Sequence, residues 1–597
     1  MAVCKIRLLL CAFLMSVLSA QTSMALEIET ANWGFDGRVV WNRIVPLSIV
    51  VSNPTDANFE GTITLNKFLG PQRRGSSLQE SVFLAPYEQR IVQFYPYVID
   101  SSETWELSWG KNQRFPLPVP NFDISSSIYL VPDDDIGVAG VGLKRFPVSY
   151  FPPNVSATDI LGAVAVDHMP RWQQPRRQSF IEWVRRGGTV YVFQQQDGEF
   201  PTFTQEMSSL NQPFEKFRVG SGLVVRKLKP VTDYTPAELT SMVVGEAASQ
   251  QLRAKSAQGL ADSLQSDRFK DANDAGLYFR ILRQITMPDH SWGLIHLLSL
   301  LYLGVIFPGC FLIGRKRSDF RIPLASIFGT ILVFSLLFGY LGRRGYGEAT
   351  QVHALTIAHA IGDDTYDVTQ WGDVFVTGGG EYTIRHKFPA GIYTSAEAIE
   401  EVNGTIENGT DARFRVDIPP FSSRPFLYRG RSTTSPLKLQ VQTWSNGEPK
   451  SGAPTLNALA LKVGESFPSD ARRIYAVYGK QFYTMSRVGD ELRLQIERGN
   501  IASSMRYQTN VGFNRPFIPF QQRNRVPTKE LLASSEMPLI SRSLGLTDVK
   551  SADQFMTPDD RAFIFIYAPM TEAFHLANED LGQTNGYVLY RFDVAKP

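Results

Sequence analysis

The chain has 597 residues, 60 Lys and Arg against 58 Asp and Glu, and a formal net charge of +2. This balance excludes a globally basic nucleic-acid binder and an acidic disordered chain. Cysteine occurs only at Cys4, Cys11 and Cys310, which excludes a disulfide-stapled fold and a cysteine-based zinc site.

At the N-terminus, Lys5 and Arg7 precede an apolar run from Leu8 to Leu18, and Ser23-Met24-Ala25 is an A-x-A-like cleavage site. The run is too short to cross a hydrocarbon core of about 30 Å. Residues 1–25 are therefore expected to be a removable signal peptide. Residues 26–120 read as an Ig-like β-sandwich. Val45–Val51, Gly61–Leu65, Ser81–Leu84, Arg90–Tyr95 and Trp105–Ser108 are short β-branched and aromatic runs. Turn residues such as Asn53-Pro54 and Gly70-Pro71 separate them.

Residues 121–290 change character. Ser125–Val131, Phe146–Phe151, Leu161–Val166 and Thr189–Phe193 are expected strands, and Phe217–Leu228 adds another. Gln173–Arg186 has helical spacing, with Phe180, Ile181, Trp183 and Val184 apolar, and Gly187-Gly188 stops it. Strand, helix, strand with polar residues at the strand ends is the pattern of a parallel α/β sheet. Helical spacing of Leu252, Leu260, Leu264, Leu277, Ile281 and Ile285 marks residues 235–290 as a helical lead-in.

The stretch from Asp159 to Phe193, DILGAVAVDHMPRWQQPRRQSFIEWVRRGGTVYVF, resembles the class I glutamine amidotransferase-like fold. The resemblance implies a flavodoxin-like α/β domain in which a strand delivers a functional loop, a helix follows and an RRGG-type turn opens the next strand. It implies no amidotransferase chemistry, because that family needs a nucleophilic cysteine and none lies between Cys11 and Cys310. The layout also resembles bacterial envelope proteins in which such a domain precedes a membrane hairpin.

Trp292–Ile313 and Ile322–Leu341 are uncharged runs of about 20 residues, each long enough to span a bilayer. Between them, Arg315, Lys316, Arg317 and Arg321 stand against one acid, Asp319, and such a short basic loop belongs on the cytoplasmic side. Residues 291–342 are thus expected to be a transmembrane hairpin. It would sit in a bacterial inner membrane, with both large parts on the periplasmic or extracellular side. Trp292 and Tyr340 are placed as interfacial anchors, and Pro308 is expected to kink the first span. The rest reads as two β-rich lobes, 343–450 and 451–597, with strands such as Gln351–Ala358, Phe414–Ile418, Leu437–Thr443, Arg473–Tyr478, Phe563–Tyr567 and Tyr587–Asp593. Pro419–Pro425 reads as a turn, Asn403-Gly404 and Asn408-Gly409 as hairpin signals, and Lys529–Glu536 as a helix.

The strongest candidate site is the carboxyl end of the expected parallel sheet, where open α/β sheets bind ligands. Asp167 and His168 are candidates for acid–base chemistry there. Asp133, Asp134, Asp135, Arg171 and Trp172 are candidates for binding, beside the helix-face pair Arg176 and Arg177. The glycine run Gly137–Gly142 lacks the order of a dinucleotide or phosphate loop. His353 and His359 share one face of a strand but lack a metal-site motif. No cofactor or metal is expected, and the spans, with no Asp, Glu, Lys or Arg and only one histidine, His296, cannot by themselves line a transport pathway. The reading is a membrane-anchored, non-enzymatic scaffold or complex subunit whose partners are the bilayer and other envelope proteins, not nucleic acid. The competing reading is a hydrolase-like enzyme acting through Asp167 and His168.

Overall fold

The structure, a computed structural model, describes residues 26–133, 143–244, 278–285, 292–316, 321–342, 350–501, 535–546 and 555–597, apart from short gaps within these ranges. The expected signal peptide, Asp134, Asp135, the glycine run 137–142, Arg317 and residues 529–534 lie outside the described residues. So do residues 245–277 of the helical lead-in and the side chains of Trp292, Lys316 and Tyr340. The molecule is mostly β-sheet.

Near the N-terminus, Glu27–Trp33, Leu47–Ser52 and Gln89–Phe94 form an antiparallel three-stranded sheet. A second layer contains Phe59–Leu69, Gln72–Leu84, Glu103–Trp109 and Gln113–Pro116. The period of two turns Leu47, Ile49, Ile63, Leu65 and Leu107 into a common dry core between these layers. Each such fully buried aliphatic side chain contributes about 1.5–3 kcal/mol of transfer free energy.

This sandwich does not end with its own segment. Glu401–Glu407 pairs in parallel with Gln72–Leu84, Thr405 opposite Ser77 and Glu407 opposite Gln79. Arg413–Ile418 and Gly380–Ile384 then complete a seven-stranded sheet. The expected boundaries of separate 26–120 and 343–450 units are thereby corrected: an unpaired edge at Gln72–Leu84 is covered by chain from beyond the hairpin. Asn403-Gly404 lies inside a strand rather than in a turn, because the pairing of Gly404 with Val416, and of the flanking Glu401 and Thr405 with Gln72–Leu84, outweighs its turn propensity.

Residues 126–230 build a six-stranded sheet in the order Lys144–Pro147, Ser126–Val131, Leu161–Val166, Thr189–Gln194, Gly222–Pro230, Lys216–Val219. All neighbours are parallel except the last pair. The expected single strand Phe217–Leu228 is a hairpin, because Gly220 takes φ +60° and turns the chain back. The helix Gln174–Arg186 buries Phe180, Ile181, Trp183 and Val184 against one face. It stops where Gly187 takes φ 131° and its N–H and that of Gly188 bond the carbonyls of Val184 and Trp183. A Cβ on Gly188 would stand 2.4 Å from the Trp183 ring, so the second glycine is demanded by packing. The helix Pro236–Val244 covers the other face through Leu239 and Val243.

After the hairpin comes an eleven-stranded sheet. Its centre pairs Gln351–Ala360 antiparallel with Thr365–Val376 and parallel with Thr584–Ala595. The expected division at 450/451 is corrected: it falls in the turn between Leu439–Lys450 and Ala453–Val463, which pair with each other in this sheet. Only Pro419–Phe421 of the expected turn 419–425 precedes the strand; Ser422–Thr433 is extended and pairs along Thr365–Val376. Pro425 is tolerated there because the neighbour on its other side begins only at Leu427.

Two helices are long and apolar enough to cross a membrane, over Gly293–Leu312 and Arg321–Gly339. Their large side chains are exposed, Phe307 by 74% and Leu336 by 68%, unlike those of a core helix. Pro308 lies in a π-turn, Val305–Gly309, between the helical stretches Trp292–Gly304 and Cys310–Lys316. A residue without an N–H breaks the i→i−4 ladder, and the wider turn absorbs the break. Tyr302 packs on Phe334 at 5.2 Å between centroids, and Cys310 Sγ lies 3.7 Å from Thr330 Oγ1.

Candidate functional site

In the parallel sheet, Ser126–Val131 has Lys144–Pro147 on one side and Leu161–Val166 on the other. Successive connections therefore leave Ser126–Val131 in opposite directions, and the carboxyl ends of Ser126–Val131 and Leu161–Val166 flank the switch point where open α/β sheets form a crevice. Asp133 follows the first of these strands, and Asp167 and His168 follow the second.

The alternation of Ser126–Val131 sends Ile128 and Leu130 into the core under Gln174–Arg186 and Tyr129 to the opposite face. From there the Tyr129 hydroxyl donates to Asp167 Oδ2 at 2.5 Å. Asp167 Oδ1 lies 2.9 Å from His168 Nδ1. A carboxylate accepts only, so this contact places the ring proton on Nδ1 and leaves Nε2 with its lone pair in the neutral imidazole. Nε2 is buried and has no hydrogen-bond partner. The chain tyrosine–aspartate–histidine thus holds an imidazole in the tautomer a general base requires. Among the described residues no hydroxyl or thiol is bonded to Nε2, so the arrangement as described can accept a proton and shows no nucleophile.

The other expected residues divide. Asp133 Oδ1 accepts from the Ser149 backbone N–H at 3.1 Å and so ties the end of Ser126–Val131 to the segment after Lys144–Pro147. Arg171 is exposed and forms no ion pair among the described residues. Trp172 is a correction: it is 5% exposed, its Nε1 donates to the Val148 carbonyl at 2.6 Å, and it packs on Phe151 and Phe180. An indole with its one donor spent inside a dry aromatic cluster cannot stack on a ligand. Arg176 and Arg177 do not form an open face. Arg176 donates to the Phe151 carbonyl at 2.8 Å, and Arg177 pairs with Glu206 at 2.7 Å. Arg315 and Arg321 are exposed at the ends of the two membrane-type helices.

His353 and His359 do share a face and are buried. Burial holds His353 down to about 4. No cluster of three possible metal ligands occurs among the described residues.

Sequence reasoning missed two buried polar systems. In the first, Arg186 Nη1 lies 2.9 Å from Asp159 and 3.1 Å from Asp367, while Arg429 also pairs with both acids. Burial raises Asp367, but Arg429 and Arg186 outweigh it and hold its carboxyl below the usual range. Glu182, with Arg431 at 3.0 Å, extends this contact between the parallel sheet and the eleven-stranded sheet. Its burial pushes the Glu182 carboxyl up despite Arg431. The second system centres on His386, stacked on Tyr428 at 3.6 Å between centroids. Its Nδ1 lies 2.6 Å from the Tyr393 hydroxyl and its Nε2 2.5 Å from Gln370 Oε1. Gln370 Nε2 donates to Thr356 and to the Phe574 carbonyl, so its oxygen faces the ring and fixes the proton on Nε2. No local motif signals either system, since the partners are up to 270 positions apart.

No family model and no curated protein matches this chain. Among solved structures, a cycloisomaltooligosaccharide glucanotransferase of Paenibacillus sp., complexed with cycloisomaltoheptaose, is similar at 9% identity over 79% of this chain and 99% of that one. The TM-score is 0.16, which carries no argument about fold or activity.

Proposed function

We propose that the protein is a non-enzymatic, membrane-anchored envelope protein, a scaffold or complex subunit that presents one exported body at a bacterial inner membrane. The observation that carries this is the parallel pairing of Gln72–Leu84 with Glu401–Glu407, strands on either side of the two membrane-type helices. A hydrogen-bonded sheet cannot be divided by a bilayer, so both strands belong to one side and the chain between them crosses an even number of times. The N-terminal signal-like sequence and the basic residues Arg315, Lys316, Arg317 and Arg321 support that side being the exported one. The strand order, which begins second-first-third-fourth, supports a flavodoxin-like module of the kind the amidotransferase resemblance implies. The missing cysteine supports a module used for binding.

The second reading, a hydrolase-like enzyme, rests on the oriented His168 imidazole. One experiment separates the two. The intact protein is affinity-purified from solubilised membranes as wild type and as Asp167→Ala, His168→Ala. A scaffold retains its envelope partners and its cellular phenotype in the double variant. Loss of the phenotype at unchanged protein level and unchanged partner recovery would favour the enzyme.

A further inference from the structure

Arg43 and Arg542 are brought together, and neither has a carboxylate within ion-pair distance among the described residues. Arg43 lies on the two-residue strand Arg43–Ile44, and Arg542 in the last turn of the helix Glu536–Ser543. Arg542 Nη2 donates to the Asn42 carbonyl at 3.1 Å, which fixes its guanidinium beside Arg43. Both are half-buried.

The acids nearby are already engaged. Asp159 and Asp367 are each shared between Arg186 and Arg429. Asp593 pairs with Arg591 at 3.1 Å, and Arg591 in turn donates to the carbonyl of Ser543, next to Arg542. His359, 3.6 Å from Asp593, brings no negative charge, and burial and then Arg591 lower its affinity for a proton. Among the described residues, five guanidinium groups therefore meet three carboxylates where the sandwich, the parallel sheet, the eleven-stranded sheet and the helix Glu536–Ser543 converge. The charge of Arg542, followed by burial, lowers Arg43 to about 10 and outweighs the opposing pull of Asp159, which two other arginines already share.

We infer that Arg43 and Arg542 bind an oxyanion, a phosphate or carboxylate group, that supplies the missing negative charge at this junction. Two adjacent guanidinium groups suit such a ligand because each offers a planar fork of donors matched to paired oxygens. The Asn42 carbonyl engages one donor of Arg542 and leaves others for the ligand. A neutral or cationic ligand would leave the like-charge contact unrelieved. The inference does not rest on the scaffold reading, since it concerns only how the exported body is charged.

The test uses the full chain in nanodiscs of phosphatidylcholine. Its melting temperature is measured in inorganic phosphate and in chloride at equal ionic strength, and then, without phosphate, in nanodiscs that include anionic phosphatidylglycerol. Phosphate or anionic lipid is expected to raise the melting temperature of the wild type by about 2–5 °C. The arm that responds identifies a free ion or a headgroup as the source. The rise is expected to vanish in Arg43→Gln and Arg542→Gln and to persist in Arg171→Gln, which alters an exposed arginine. Equilibrium dialysis of radiolabelled phosphate against the wild type, with sulfate as competitor, reads the free-ion arm without any variant. A wild type that responds to neither phosphate nor anionic lipid overturns the inference. So does a rise that survives in the folded Arg43→Gln, Arg542→Gln double variant.

Discussion

Arg429 donates to Asp159 and to Asp367, so one guanidinium ties the segment before the membrane-type helices to the sheet built after them. Both acids also receive Arg186. Removing one member of a buried ion cluster strands the others, and Arg429→Ala is expected to cost about 3–5 kcal/mol. Chemical denaturation of the detergent-solubilised protein measures this. Asp367 lies below its unfolded value of 3.8, so its contribution is present above about that pH and is lost as pH falls through its folded value. Asp367→Asn is expected to remove that part of the acid dependence.

Glu80 shows the opposite sign. Burial, and then the charge of Glu407, raise its carboxyl to about 8 against 4.5 in the unfolded chain. The folded state keeps a proton that the unfolded state releases, so stability falls as pH rises from 4.5 to about 8. The slope is at most about 1.4 kcal/mol per pH unit. In melting curves taken across this window, Glu80→Gln is expected to flatten the decline and to melt higher than the wild type at pH 8.

His386 behaves like a buried neutral base. Burial lowers it to about 3 from 6.5, so the unfolded state binds its proton first and stability falls as pH drops from 6.5 towards 3. His386→Leu is expected to remove that dependence. It also leaves Tyr393 and Gln370 without their ring partners, at a cost of about 1–3 kcal/mol. Comparing unfolding at pH 7 and pH 5 separates the two effects.

Tyr129→Phe deletes the hydroxyl that holds Asp167 and leaves the ring in place. A loss of about 0.5–1.5 kcal/mol is expected, with the fold retained. Under the hydrolase reading this variant also lowers turnover by loosening His168, whereas under the scaffold reading partner recovery is unchanged. Denaturation and affinity purification of the same preparation report both.

Sidedness is open to single-cysteine labelling in a background with the native cysteines removed. Cysteines placed at exposed Tyr87 and Glu448 are expected to react with an impermeant maleimide in intact spheroplasts. One placed at Arg315 is expected to react only after permeabilisation. Labelling of Tyr87 and Glu448 on opposite sides would contradict the shared seven-stranded sheet.

Much of the local structure was legible because its causes are local. Leu161–Val166 and Arg473–Tyr478 have the bounds that their apolar β-branched and aromatic runs imply. The Gln174–Arg186 helix ends where Gly187 permits a positive φ. Asp167 and His168 could be singled out because a strand end and its next two residues are contiguous in the chain. Asn403-Gly404 and 422–425 are extended despite their turn residues for the complementary reason, since ladder partners elsewhere decide whether a weak turn signal stays extended.

The sequence by itself determined the two apolar helices, the period-two strands and the lack of any cysteine besides Cys4, Cys11 and Cys310, because hydropathy and composition act residue by residue. Only the tertiary structure decided that Ser76 and Ser395, 319 positions apart, hydrogen-bond to each other across the segment that holds the two apolar helices. It alone brought Asp159 and Asp367 to one arginine and left Arg43 beside Arg542. Strand partners and charge partners are chosen by which edges and which guanidinium groups meet when the sheets close, and nothing in a linear pattern encodes that choice.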